Sequence, residues 1–504
     1  MKKLNLLIII LFTNLVYIHA STLNLSISSN PSKLNPILSN DSASSEISQW
    51  LFNGLFKYNK DGEITVDLAK SYKFETPTKL IIKLKKNTKW HDGVEVTSSD
   101  VLFTYNQINN PKVFTSIKSN FKEVKSLKVL DKYAIEVVYK KPYFKALVSW
   151  MVGLLPKHIL ENEDNLMTSS FNKNPIGTGP YKLEKFEPNK DIVLYANRDY
   201  FDGKPNIEKI HYKFLPDTNT SFLFLKQKRL DISSLTPLQI QRQIEDSFKD
   251  EFRIIEKPSF GYSYLGFNLR KDKFKNRKIR EAISLAINKQ ELIDILFFGH
   301  AKVATGPFLP GTFAYNKDIA KNSFDINKSI KILKELGYDK NNPFSFELTT
   351  NTGNQTRINA AQIIQYQLQK VGIEMKIRVM EWQAFLNTVV HPRKFDAVLL
   401  AWSLSLMPDA YPLWHSDSDK LGGFNLVGYR NKEVDKLIQK GAKTIDTKKL
   451  SNIYKKIYKK IANDKPYVFL YIPNSITAVN REIKNIKPSL IGIMHNQKSW
   501  IKEK

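Results

Sequence analysis

One eight-residue stretch, Phe395 to Trp402 (FDAVLLAW), limits the architectures open to this chain more than any other. It is a near-continuous apolar run, and a strand of that kind needs cover on both faces, as parallel strands between helical layers have. The segments around it supply such cover. Ile279, Ala282, Ile283, Ala286 and Ile287 form a helical stripe, Asn288 can cap a second helix, and Gly299 ends it. Ile358, Ala361, Ile364, Leu368 and Val371 predict another helix stopped at Gly372, after which Ile373, Met375, Ile377 and Val379 alternate as a strand. From Tyr262 onward the chain therefore reads as α/β. In open α/β sheets ligands sit outside the carboxyl ends of the strands, which points to Ser403–Asp409 as the ligand-facing segment.

The first half has a different texture. Leu23 to Ser28, Leu80 to Leu84 and Ala134 to Tyr139 alternate as strands, and a turn-rich stretch runs from Asn30-Pro31 to Asn35-Pro36. A helix is expected over Thr97 to Ile108, capped by Thr97 with Asp100 three residues on. This pattern is α+β. No Gly/Ser-rich or Pro-rich linker separates the halves and no fixed-period repeat is present, so the 504 residues are expected to form one body with lobes.

Lys2 and Lys3, an apolar run from Leu4 to Ile18, and the small residue Ala20 have the layout of a signal peptide, which predicts cleavage after Ala20 and a secreted chain. The run is shorter than the roughly 20 residues that span a bilayer. With no cysteine anywhere, the chain has no disulfide, no thiolate metal site and no lipid-modified cysteine, so the exported form is expected to diffuse freely. The net charge is +28; without Lys2 and Lys3, 75 basic side chains face 49 acidic ones. The lysines are spread along the chain. In the segment Leu450, Ile453, Tyr454, Ile457, Ile461 the lysine pairs fall largely between the apolar positions, as on a solvated helix face, and neither a zinc-finger spacing nor an RNA-binding aromatic signature is present.

Catalytic patterns are absent. The chain has no H-E-x-x-H, no G-x-x-x-x-G-K-[ST] and no G-x-S-x-G, and Ser170 to Lys173 matches S-x-x-K without its companion motifs. Trp90-His91-Asp92-Gly93 reads as an Asp-Gly turn leading into the Thr97 helix, with His91 making a local hydrogen bond.

Several long motifs occur in one order: Lys89 to Gly93 with Thr97 to Val101; Pro175 to Tyr181 (PIGTGPY) continuing to Asn197–Phe201; Tyr264 to Asn268 (YLGFN) with Phe274, Arg277, Arg280 and Ala282; and Trp402 to His415 with Gly423 to Asp435. In these the chain resembles the family-5 extracellular solute-binding proteins, receptors of oligopeptide, dipeptide and nickel ABC importers. The resemblance implies a two-lobed α/β periplasmic binding-protein fold, type II-like and of cluster C, with an extra α+β domain inserted in lobe I. By that analogy, residues 1–20 are the signal peptide; 21–42, 172–258 and 475–504 form lobe I; 43–171 form the insert; and 259–474 form lobe II. The chain would cross between the lobes near Pro258–Gly261 and near Pro473–Ile476, making a hinge.

The resemblance further implies a periplasmic, soluble, monomeric receptor with no catalytic role, cofactor or nucleic-acid partner. It would carry a short peptide to an inner-membrane ABC permease. The ligand-binding residues it implies are Trp402, Ser405, Asp409, Tyr264, Asn268 and Asn425. In peptide-binding relatives an aspartate three positions after the tryptophan neutralises the ligand amine. Here that position is Ser405, and Asp409 is the nearest carboxylate that could take over. The alternatives are a receptor for a nickel or other metal chelate, using His415 or another cleft histidine, a haem receptor, and a secreted hydrolase.

Overall fold

The computed structural model describes residues 21–39, 41–319, 324–420 and 422–503; the segment on which the export expectation rests lies outside them. The fold is two-lobed and mixed α/β. Near the N-terminus, Thr22–Ile27 pairs in parallel with Lys209–Phe214, and Asp191–Ala196 and Tyr181–Glu187 continue that sheet antiparallel. Leu23, Leu25 and Ile27 all point into the core while Thr22, Asn24 and Ser26 alternate outward, as the period of two requires. A separate four-stranded meander, ordered Ala69–Thr76, Lys79–Leu84, Ala134–Tyr139, Val124–Asp131, carries the Ser98–Asn109 helix. Thr97 precedes that helix, and its N–H donates to the Asp100 carboxylate at 2.8 Å.

The largest sheet has eight strands. Within it Ala397–Ser403 forms the apolar strand singled out above, and its two faces feed two cores. Ala397 and Leu399 pack with Leu265 and Phe267 against the helices Arg277–Ala286 and Gln355–Gln369. Val398 and Leu400 pack with Tyr262 and Tyr264 against Lys432–Ala442 and Thr447–Asp464. Fully burying a Val, Leu or Phe side chain of this set contributes roughly 1.5–3 kcal/mol. One expectation needs correcting. The strand is antiparallel to Gly261–Phe267 over its whole length and parallel to Phe344–Asn351 only at Ala397 and Val398. Cover on both faces is what makes the run apolar, and it does not determine the direction of the neighbours.

The long strand Tyr467–Asn480 changes neighbours along its length. Its first half pairs with Gly261–Phe267, and its second half pairs with Phe252–Pro258 and Ile232–Leu235. At the changeover Ser259 N–H donates to Pro473 O at 2.8 Å. Pro258 and Pro473 both stand there and neither has a backbone donor, but the strand is held from its other edge as well, where Ala301 lies opposite Pro473 and Asn474 N–H donates to His300 O at 3.0 Å.

Candidate ligand-binding site

The site grows from the free end of the Ala397–Ser403 strand. Just past it, Leu404 N–H donates to Phe260 O at 2.8 Å. In an antiparallel ladder residues alternate between the two edges, so Leu400 and Trp402 direct their backbone groups to Gly261–Phe267. Ala401 and Ser403 direct theirs to the opposite edge. There the neighbouring strand Phe344–Asn351 pairs no further than Val398, and only the Thr350 hydroxyl follows, donating to Leu399 O at 3.1 Å. The N–H and C=O groups of Ala401 and Ser403 thus line an open edge, and both residues are exposed. Gly261 is required opposite: a Cβ there would lie 2.5 Å from Trp402 O.

Trp402 is half-buried. Its indole stacks on Tyr264 at 6.0 Å and donates from Nε1 to Tyr467 Oη at 3.3 Å. It forms a wall of two cavities. The first, about 300 Å³, is bounded by Trp402, Ser405, Asp409, Phe308, Trp414 and Lys145. The second, about 620 Å³, is bounded by Trp402, Tyr264, Leu400, Trp382, Leu386 and Phe424.

Of the residues expected from the sequence, Trp402, Ser405 and Asp409 meet at the first cavity and Tyr264 lines the second. Ser405 Oγ donates to Met407 O at 2.7 Å. Asp409 has both oxygens engaged: Oδ1 accepts the Tyr411 N–H at 3.0 Å, and Oδ2 accepts from Lys145 Nζ at 2.6 Å. Lys145 arrives from the first half of the chain, where the adjacent Phe144 N–H donates to Ala442 O at 3.2 Å. Nearby Tyr143 has its phenol pushed well up, first by burial and then by the Asp409 charge.

Asn268 and Asn425 are buried scaffolding and line neither cavity. Asn268 Nδ2 donates to Arg393 O and Phe395 O at 3.0 and 2.9 Å. Asn425 Nδ2 donates to Tyr429 O at 2.7 Å while its Oδ1 accepts the Tyr429 N–H at 3.0 Å. Each holds a loop whose backbone groups would otherwise be buried unpaired. His415 is also committed: Nδ1 accepts from Asp417 N–H at 3.1 Å, and Nε2 lies 3.2 Å from Gln439 Nε2. Among the described residues no group of three or more His, Asp or Glu side chains is placed to hold a metal ion.

The His91 turn differs from its expected form. Its fold is local, with Gly93 N–H donating to Trp90 O at 2.9 Å, but the histidine bonds far along the chain. Nδ1 accepts the Gly177 N–H and Nε2 faces Gly179 O, each at 3.1 Å. Two of the motifs noted above, Trp90–Gly93 and Pro175–Tyr181, therefore interlock. A Cβ on Gly177 or Gly179 would come within 1.8 or 2.3 Å of the Leu51 or Trp50 carbonyl.

Residues 63–423 match the family described as bacterial extracellular solute-binding proteins, family 5 middle. The chain belongs to this family. Among relatives of this family-5 receptor, the oligopeptide-binding protein AppA of Bacillus subtilis (strain 168) is 33% identical over 93% of this chain and 89% of its own. The solved structure of AppA in complex with a nonapeptide superposes with a TM-score of 0.77 at 32% identity, covering 96% of this chain and 99% of that one. NikZ from Campylobacter jejuni, in complex with Ni(L-His), gives a TM-score of 0.78 at 28% identity over 95% and 99%.

Lys145 and the Trp382–Val390 segment had no signal in the sequence of this family-5 receptor, and Phe424, though inside the Gly423 to Asp435 motif, was not singled out there. Lys145 lies in a lysine-rich stretch, 264 positions before its partner, and nothing local marks it.

Proposed function

We propose that this family-5 receptor captures a short peptide as an added strand along the open edge at Ala401 and Ser403 and hands it to an ABC permease. That edge carries the reading. It offers main-chain donors and acceptors to a partner whose own main chain has the matching pattern, whatever its side chains. Trp402 and Ser405 then contact the ligand from the cavity walls. The AppA relative, in complex with a nonapeptide, supports the same chemistry. Binding and release involve no bond-breaking.

In this reading residues 21–42, 172–258 and 475–504 form one lobe, 43–171 its insert and 259–474 the other lobe. The lobes close by rotation near Pro258–Gly261 and near Pro473–Ile476, and only the closed form docks productively on the permease. The exported chain begins at Ser21 and works as a soluble periplasmic monomer.

A thermal-shift screen against peptide pools, nickel with histidine, and haem tests the ligand class. Peptide pools are expected to raise the melting temperature, because a ligand that binds only the folded state stabilises it. A shift with nickel–histidine or haem and none with any peptide would overturn the peptide reading.

A further inference from the structure

The helices Lys432–Ala442 and Thr447–Asp464 form an antiparallel hairpin. Glu433 pairs with Lys460 at one end, and at the other a Cβ on Gly441 would lie 3.1 Å from the Tyr454 ring. Val434 and Ile438 on the first helix and Leu450, Ile457 and Ile461 on the second are buried in one core. Residues 432–460 hold ten lysines against three carboxylates, so the face turned away from that core is strongly cationic.

Helical periodicity puts Lys436 and Lys440 on the outer side of the first helix, beside Lys449 and Lys456 on the second, and all four are exposed. Among the described residues none of the four is ion-paired. The three carboxylates are committed elsewhere: Glu433 to Lys460, Asp435 to the Ser416 N–H at 2.9 Å, and Asp446 to the Lys449 N–H at 2.8 Å as the helix cap. At the turn between the helices Ile445 is 37% exposed.

The chemistry of this face selects its partner. An ammonium is a compact point charge, without the planar fork by which arginine grips a single phosphate or base. The two tyrosines of the hairpin, Tyr454 and Tyr458, are buried, so no ring is offered on which a base could stack. What is offered is a broad array of long-stemmed cations with one apolar side chain at the tip, which suits a laterally uniform anionic lipid surface. The chain has no cysteine to carry a lipid, so a hold on a bilayer falls to surface chemistry of this kind.

We propose, resting on the exported-receptor reading above, that the hairpin is a membrane-surface contact. Its lysine face adsorbs to anionic phospholipid headgroups of the inner membrane, and Ile445 enters the headgroup layer. Adsorption holds the receptor in the plane of its permease, so that the two meet by a search over a surface instead of through a volume.

The test is co-sedimentation of the exported chain with vesicles of phosphatidylcholine alone and of phosphatidylcholine mixed with phosphatidylglycerol. Binding is expected only to the mixed vesicles, and it should fall as salt rises from about 0.01 to 0.15 M, where screening shortens from about 30 to 8 Å. A lysine near such a surface contributes roughly fivefold, so Lys436→Gln, Lys440→Gln, Lys449→Gln and Lys456→Gln combined should weaken binding by about 100-fold or more. The same loss of charge on the four-stranded meander, by Lys73→Gln, Lys83→Gln, Lys125→Gln and Lys128→Gln, should weaken it less than about threefold. A parent protein that does not prefer the mixed vesicles overturns the contact, whatever the variants do. Equal losses in the two variants assign the binding to net charge and overturn it too. So does tighter binding to a single-stranded oligonucleotide than to the vesicles, lost in the hairpin variant, which would make the face a nucleic-acid surface. The receptor reading is judged apart from all of these, by the melting shift with peptide pools, which the hairpin variant should keep.

Discussion

Lys145 Nζ donates to Asp409 Oδ2 at 2.6 Å, joining residues 264 positions apart across the mouth of the smaller cavity. The other Asp409 oxygen is held by the Tyr411 N–H. The carboxylate nearest the expected amine anchor is thus neutralised by the protein itself.

Free-amine and N-acetylated forms of one peptide are accordingly expected to bind the parent protein within a few-fold of each other. Lys145→Met frees the carboxylate and should create a preference of tenfold or more for the free amine, since a charge-assisted pair in a partly dried site is worth roughly 2–5 kcal/mol. Calorimetry of both peptides against both proteins decides this. A strong free-amine preference already present in the parent would mean that Lys145 yields its place to the ligand.

If the ligand adds as a strand, replacing its amide hydrogens by N-methyl groups one at a time should weaken binding at alternate positions only. Each lost hydrogen bond that leaves a protein group unpaired costs about 1–3 kcal/mol. A binding scan with uniform losses, or none, would remove the open edge at Ala401 and Ser403 from the mechanism.

His91 is pushed down to about 4 from 6.5, chiefly by burial, with Lys182 adding to the effect and the Gly179 carbonyl opposing it. Above pH 6.5 the ring is neutral whether the chain is folded or not, and no stability depends on it. Between 6.5 and 4 the unfolded chain takes up a proton that the folded one refuses, so stability falls as the pH drops. The loss approaches roughly 3 kcal/mol. Denaturant melts across this interval should show a shallower pH slope for His91→Gln than for the parent; equal slopes would assign the acid sensitivity to other groups.

Asn425, itself without exposed surface, makes three hydrogen bonds within and beside its loop. Asn425→Ala should cost roughly 1–3 kcal/mol of stability by leaving backbone groups buried and unpaired. The affinity of the folded fraction for a peptide should be unchanged. A selective loss of affinity at full stability would return Asn425 to the ligand.

Local rules sufficed for much of this molecule. The Thr97–Asp100 cap, the Asn288 cap with the Phe298–Gly299 left-handed ending, and the lysine-lined face of Thr447–Asp464 all sit where short-range pattern put them. Caps and periodicities act over three or four residues, so adjacent residues carry them. The Ser403–Asp409 segment, expected to matter because it follows the end of a strand, does line the smaller cavity, and the end of a strand is a local pattern. Only the tertiary structure decided the rest. Whether the Phe395–Trp402 run met parallel or antiparallel neighbours depended on strands about 50 and 140 positions earlier in the chain. Whether Asp409 was free depended on Lys145. Whether Asn268 and Asn425 faced a ligand or held a loop depended on which carbonyls the fold brought within 3 Å of them. These are long-range pairings, and a side chain's chemical type says what it can bond, while only the packed chain says which partner reaches it first.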